Sequence, residues 1–261
     1  MKNYGLPVTA VKEGEGFWPQ RQKLIRDTVL PYQFSILNDQ LEGVEKSHAI
    51  ENLRLAAKAG SGQPVAPEEY YGMVFQDSDV AKWLEAAAFS LAQNRNPALE
   101  EEIDRVVGLL SRAQFPDGYL NSYFTVKQPG RRWTNLQEAH ELYCAGHLIE
   151  AACAYYETTG KDDFLHIMRK NADHIYAHFM RENPRGFSGH PEVELALMKL
   201  FRATGDSRYQ ELAQHFVDVR GQDPHYFEEE RKKRGWYLWQ ENDDALDKDY
   251  TQSAKPVREQ K

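Results

Sequence analysis

A chain of 261 residues with 41% hydrophobic side chains can bury a real core, as one large domain or two smaller ones. Its 32 basic and 40 acidic side chains leave a formal net charge of −8 with the signs interspersed, which disfavours a nucleic-acid footprint. No apolar run could cross a bilayer, the start MKNYGLPVTAVKEG carries no export segment, and two cysteines make no disulfide scaffold, so cytoplasmic residence with no membrane partner is expected.

After an N-terminal arm (1–16), apolar periodicity predicts helices over 17–30, 47–59, 77–93, 97–113, 134–159, 162–179, 190–203 and 207–219. From 77 onwards these segments are rich in Ala, Leu and Glu and poor in β-branched residues. Asn94-Arg95-Asn96-Pro97, Thr159-Gly160-Lys161-Asp162 and Thr204-Gly205-Asp206 punctuate them, each able to end one helix and cap the next. IEAACAYYETTGKDDF (149–164) is echoed 45 residues later by ELALMKLFRATGDSRY (194–209), with a looser third version at 83–99. Repeated helix pairs bury faces that one pair would leave wet, so the expected fold is all-α, a solenoid or an α/α toroid.

Two interruptions differ from these turns. Residues 114–123 join a Pro-Asp-Gly turn to closely spaced aromatics, and RENPRGFSGHPE (181–192) sets glycines and a histidine before the next helix. Loops at one end of a helical barrel are places for a sugar pocket, where aromatics stack on ring faces and Asp, Asn and His bond hydroxyls. The run Arg231-Lys232-Lys233-Arg234 after three glutamates reads as solvated surface.

The densest polar cluster is WTNLQEAHELYCAGHLIEA (133–151). On a helix His140, Cys144 and His147 fall within about 60° of one another, a spacing open to soft metal ligands or to pocket contacts. His140 reads as a sugar contact, Cys144 as a small packing residue and His147 as a satisfied structural histidine, and no metal ligand is assigned. Cys144 and Cys153, nine residues apart, fall on opposite sides of one helix and cannot share a metal or a disulfide. In QDSDVAKWLEAAAF (76–89), Asp77 or Ser78 caps a helix, Asp79 sits at its positive end, and Glu85 faces a partner helix or a pocket. His190, between Gly189 and Pro191, reads as pocket lining at the mouth of a helix. No Ser-His-Asp set, phosphate loop or dinucleotide fingerprint is present.

Taken in order, FQDSDVAKWLEAAAF (75–89), AQFPDGYLNSYF (113–124), LQEAHELYCAGHLIEAACAYYETTGKDDF (136–164), GHPEVELALMKLFRATGDSRY (189–209) and KPVREQ (255–260) resemble the glycoside hydrolase family that contains the bacterial β-L-arabinofuranosidases. The resemblance spans essentially the whole chain. It implies an (α/α)6 catalytic barrel, here incomplete over 1–261, and retaining hydrolysis of terminal β-L-arabinofuranosides from plant-derived glycans in complete relatives. It further implies that His140 and His190 line the sugar pocket and that Asp77 and Asp79 serve as pocket or helix-start support. The family's general acid/base glutamate, zinc-bound cysteine nucleophile and other zinc ligands correspond to positions beyond Lys261. The expectation is therefore a chain without catalytic residues and without a cofactor of its own, zinc being implied for a complete member. Alternatives are a sugar-binding or assembly module, and half of a two-chain enzyme that self-associates or recruits a downstream half.

Overall fold

In the computed structural model, residues 6–11, 14–238 and 251–260 are described. Eleven α-helices are found among them, and no strand. They are α1 (Phe17–Leu24), α2 (Leu30–Leu37), α3 (Ala49–Gly60), α4 (Asp77–Gln93), α5 (Pro97–Ala113), α6 (Ser122–Val126), α7 (Glu141–Thr159), α8 (Asp163–Ala177), α9 (Val193–Thr204), α10 (Ser207–Val219) and α11 (Tyr226–Arg234). The all-α expectation holds, as hairpins α4–α5, α7–α8 and α9–α10 laid side by side in the manner of a partial α/α toroid.

Helices α4, α7 and α9 form one layer and α5, α8 and α10 the other. The inner layer packs closely because its facing positions are small: Ala81, Ala87 and Ala88 on α4 and Ala145, Ala151 and Ala152 on α7 are fully buried. Leu84, Leu148, Leu197 and Leu200 fill the spaces between them, each contributing about 1.5–3 kcal/mol relative to exposure. The outer helices carry their apolar residues on one stripe, as Leu99, Ile103, Val106 and Leu110 do on α5. Leu195 and Met198 of α9 remain exposed. Among the described residues, no helix is long and apolar enough to cross a membrane.

The 45-residue echo is present bond for bond. The Thr159 hydroxyl donates to the Tyr155 carbonyl (2.7 Å) and accepts from Lys161 N–H (3.2 Å); the Thr204 hydroxyl donates to Leu200 (2.7 Å) and accepts from Asp206 N–H (3.2 Å). Gly160 and Gly205 both take the left-handed conformation at the helix C-terminus, with φ 77° and 73°. Asn96 caps α5, accepting from Ala98 N–H and Leu99 N–H.

Helix boundaries depart from the expected ones where long-range contacts override local signals. The 17–30 helix continues to Leu37 through a π-turn, Ile25–Val29, which tolerates the N–H missing at Pro31. The 134–159 helix begins only at Glu141, because residues 134–140 are spent on turns tied to other parts of the chain. Two helices were not anticipated. The Asn121 side chain accepts from Phe124 N–H to start α6, and α11 contains the basic run. Lys232 and Lys233 are exposed there as expected, but the Arg234 side chain is only 2% exposed, held between Glu138 (3.3 Å) and Glu230 (3.5 Å). Spacing of i to i+4 puts Glu230 beneath Arg234, and a buried guanidinium needs such partners.

Candidate functional site

Two loops meet where α7 and α9 begin. Gly189 N–H donates to the Leu136 carbonyl (2.9 Å), and the approach is so close that a Cβ on Gly189 would stand 2.0 Å from the Gln137 carbonyl oxygen. Leu136 N–H in turn donates to both carboxylate oxygens of Glu230 (3.0 Å each). Burial pushes the Glu230 carboxyl up to about 7. Trp133 and His140 bracket this loop, each in the left-handed region with φ 58°. Both turns are secured by Glu141, the first residue of α7: it accepts from Trp133 N–H (2.8 Å) and from the Tyr119 hydroxyl. This carboxyl is fully enclosed, and burial raises its pKa to about 8.

The consequence is that His140 and His190, fifty residues apart, stand with ring centroids 4.5 Å apart. Phe75 packs against His140 (5.2 Å), and Tyr143 touches both rings (5.5 and 5.1 Å). All four are only half-buried, so the cluster stays partly open to solvent. The His140 Nδ1 faces the Glu138 carbonyl, which can only accept, so Nδ1 carries the proton and Nε2 is left as an acceptor. Burial, then the neighbouring His190, lowers the His140 pKa to about 4. Burial, then Arg220, also lowers that of His190. Neutral imidazoles beside aromatic faces suit uncharged hydroxylated ligands. Lys82 donates to the Tyr143 hydroxyl (3.0 Å) and adds a cation beside the cluster.

Asp77 has a different task from the helix cap expected of it. Gln76 is the N-cap of α4 and makes no side-chain cap. The Asp77 carboxylate instead accepts from Ser122 N–H (2.7 Å) and the Ser122 hydroxyl, tying α4 to the start of α6. The Ser78 hydroxyl accepts from Lys82 Nζ (3.3 Å), and α4 starts without a side-chain cap. Asp79 is exposed in the first turn of α4. Glu85 faces α9 as expected, 3.5 Å from Lys199. A groove of about 1410 Å³ lies among α2, α3 and α5, with Phe34, Arg54, Leu99 and Arg112 in its lining, and it does not include His140 or His190.

The His140–Cys144–His147 trio does not come together as a metal set. Cys144 is fully buried as a packing residue, and the metal-ligand spacing found among the described residues joins His147 to Glu150 and Glu192 instead. The zinc–thiolate chemistry implied by the resemblance does not fit the cysteines here. Both are free and buried, and burial pushes the Cys144 thiol well up and that of Cys153 to about 12. Sequence reasoning missed Tyr143, Phe75 and Glu141. Tyr143, three residues after His140, was findable from helical spacing, whereas the role of Glu141 depends on contacts that spacing does not encode.

The chain is similar to known proteins over most of its length. The non-reducing end β-L-arabinofuranosidase of Bifidobacterium longum subsp. longum is 40% identical over 269 residues, covering 94% of this chain and 39% of that protein. The crystal structure of a GH127 β-L-arabinofuranosidase from Geobacillus stearothermophilus T6 superposes with a TM-score of 0.87 at 52% identity, covering 95% of this chain and 38% of that one. A second GH127 β-arabinofuranosidase structure gives a TM-score of 0.69 at 34% identity, over 83% of this chain and 34% of that one. The chain thus spans well under half the length of these relatives. Residues 10–261 match the family described as β-L-arabinofuranosidase, GH127 catalytic domain, and the chain belongs to that family.

Proposed function

We propose that this chain forms the N-terminal wall of the sugar pocket of a retaining β-L-arabinofuranosidase, with His140 and His190 binding the terminal L-arabinofuranose. The single observation that carries the reading is their convergence: two neutral imidazoles 4.5 Å apart, backed by Tyr143 and Phe75 and partly open to solvent. The acceptor Nε2 of His140 would take a hydrogen bond from a ring hydroxyl, and the aromatic faces would cover the apolar side of the sugar. Asp77 supports the wall through its tie to α6 rather than by touching the ligand. Cleavage would draw on groups outside these 261 residues, the reading best matched to a chain covering 38–39% of its relatives. The glycan would be plant-derived and arabinose-containing, and the missing groups would come from a downstream half, in the same polypeptide or in a second one.

The test is saturation-transfer NMR with methyl β-L-arabinofuranoside on the 261-residue chain and on His140→Ala and His190→Ala. Each variant should weaken binding about tenfold, equivalent to about 1.4 kcal/mol. Unchanged binding in both would remove the histidines from the pocket. Adding the downstream region of a relative should then yield arabinose release; saturable binding that never leads to product would favour a sugar-binding module.

A further inference from the structure

Next to Tyr143, whose ring centroid is 4.5 Å from that of His147, lies a group of side chains that the sugar-pocket reading does not use. His147 and Glu150 stand one turn apart on α7, and Glu192 precedes α9. His147 Nδ1 is 3.7 Å from Glu150 Oε2 and 3.7 Å from Glu192 Oε1, and the three donor atoms all lie within 4.8 Å of one another. The side chains of His147 and Glu192 are 15% and 13% exposed, yet His147 Nδ1 and both Glu192 oxygens are themselves shut off from solvent without a hydrogen-bond partner. Glu192 is fitted into a cradle that glycine makes: a Cβ on Gly146 would fall 1.5 Å from its Oε2.

An enclosed carboxylate of this kind is neutralised by a proton or by a cation. Its polar neighbour is the Glu150 carboxylate, which can bond it only by sharing a proton, and burial, then Glu150, raises the Glu192 pKa. That solution leaves Nδ1 of His147 unpaired. A cation satisfies His147 Nδ1 and Glu192 Oε1 together with Glu150 Oε2. Ligands bound to zinc at about 2.1 Å in a tetrahedral arrangement stand about 3.4 Å apart, close to the two spacings of 3.7 Å made by His147 Nδ1. His147 is half-buried, and the neutral imidazole is the form that ligates. Glu150 is already oriented as a ligand needs: Lys199 pairs with its Oε1, leaving Oε2 toward His147.

We propose that His147 Nδ1, Glu150 Oε2 and Glu192 Oε1 form a site for a first-row divalent cation, with zinc best matched to one imidazole and two carboxylates. It is a different site from any that cysteine could make here, since it uses neither Cys144 nor Cys153. Its position gives it a structural role: the ion would clamp the start of α9 to α7, two residues from His190.

The experiment strips the 261-residue chain with a chelator, reloads it with Zn²⁺ or Co²⁺, and reads metal content by mass spectrometry and cobalt absorption. One equivalent per chain is expected, retained in a Cys144→Ala/Cys153→Ala variant and at least tenfold weaker in Glu192→Gln and Glu150→Gln. Circular dichroism checks that each variant is folded. Cobalt should also shift the ring signals of His147 in the unmodified chain, a readout independent of any variant. Absence of uptake, uptake unchanged in both glutamine variants, or an unshifted His147 ring would overturn the proposal. A higher melting temperature for Glu192→Gln with no metal bound by the parent would do so too, and would assign a shared proton in its place.

Discussion

The hairpin turns and the histidine wall solve the same problem, how to satisfy polar backbone at helix ends, in opposite ways. At Thr159-Gly160 and Thr204-Gly205 every partner lies within about one helical turn: a threonine hydroxyl, a carbonyl four residues back and a left-handed glycine. At residues 133–141 and 186–190 several of the partners are distant. Glu230 reaches Leu136 across 94 positions, Tyr119 reaches Glu141 across 22, and Gly189 meets Leu136 across the interface of two loops. A turn satisfied locally forms with its helix, while a loop satisfied at a distance takes its shape only when the whole chain is in place. The wall is therefore the more fragile region, although the rigid helices carry it.

The strongest way to break that contrast is Gly189→Ala. Its Cβ would stand 2.0 Å from the Gln137 carbonyl oxygen and 2.8 Å from the carbonyl carbon, backbone atoms that cannot swing aside as a side-chain tip could. The two loops would have to separate, at a cost of about 3 kcal/mol. Urea denaturation should show the loss, and NMR signals of His140 and His190 should shift while those of the α9–α10 turn stay in place. A variant with unaltered stability and histidine signals would show that the loop contact is looser than its geometry.

A second effect sharpens the comparison through pH. Glu141 has a folded pKa of about 8 against an ordinary 4.5, so the folded protein holds this proton more tightly. The stability it contributes is fully present below pH 4.5 and is lost as pH rises through 8. His140 acts in the other direction: with its pKa lowered to about 4, its contribution is present above 6.5 and is lost as pH falls through 4. In Glu141→Gln the decline from pH 6 to 8 should shrink by about 2 kcal/mol, measured by denaturant melts at stepped pH. An unchanged slope would mean that Glu141 keeps its charge when folded, through its bonds to Tyr119 and Trp133.

These differences also explain how much could be read in advance. The layers, the hairpins and the Thr-Gly turns were legible because 3.6-residue periodicity and turn chemistry are local properties, and the 45-residue echo reproduced its own hydrogen bonds. His140 and His190 could be singled out from their settings in HELY and GHPE, but the contact between them could not. It depends on Glu141 and Glu230, two glutamates indistinguishable in sequence from the many that serve helix propensity. Asp77 misled for a related reason. Helix starts favour acidic residues, and nothing near Asp77 announces a bond to Ser122, 45 residues away. Arg234 was hidden within a basic run whose middle residues are indeed solvated.

The smallest effect belongs to the local turns, and there the prediction is one of independence. Thr204→Val keeps the shape of the side chain but removes the hydroxyl that accepts from Asp206 N–H and donates to the Leu200 carbonyl. The loss should be about 1 kcal/mol, since the freed groups lie at a half-buried helix end where water can replace the bond. Thr159→Val should cost a similar amount for the same two bonds at Lys161 and Tyr155. The turns lie on separate hairpins and share no hydrogen bond among those described, so the double variant should be additive to within about 0.5 kcal/mol. Sugar binding and the signals of His140 and His190 should remain unchanged in all three proteins. Coupling well beyond that margin, or a shifted histidine signal, would mean that the hairpins pass strain through α7 and α9 to the wall, and that the frame is less independent of the site than its hydrogen bonds imply.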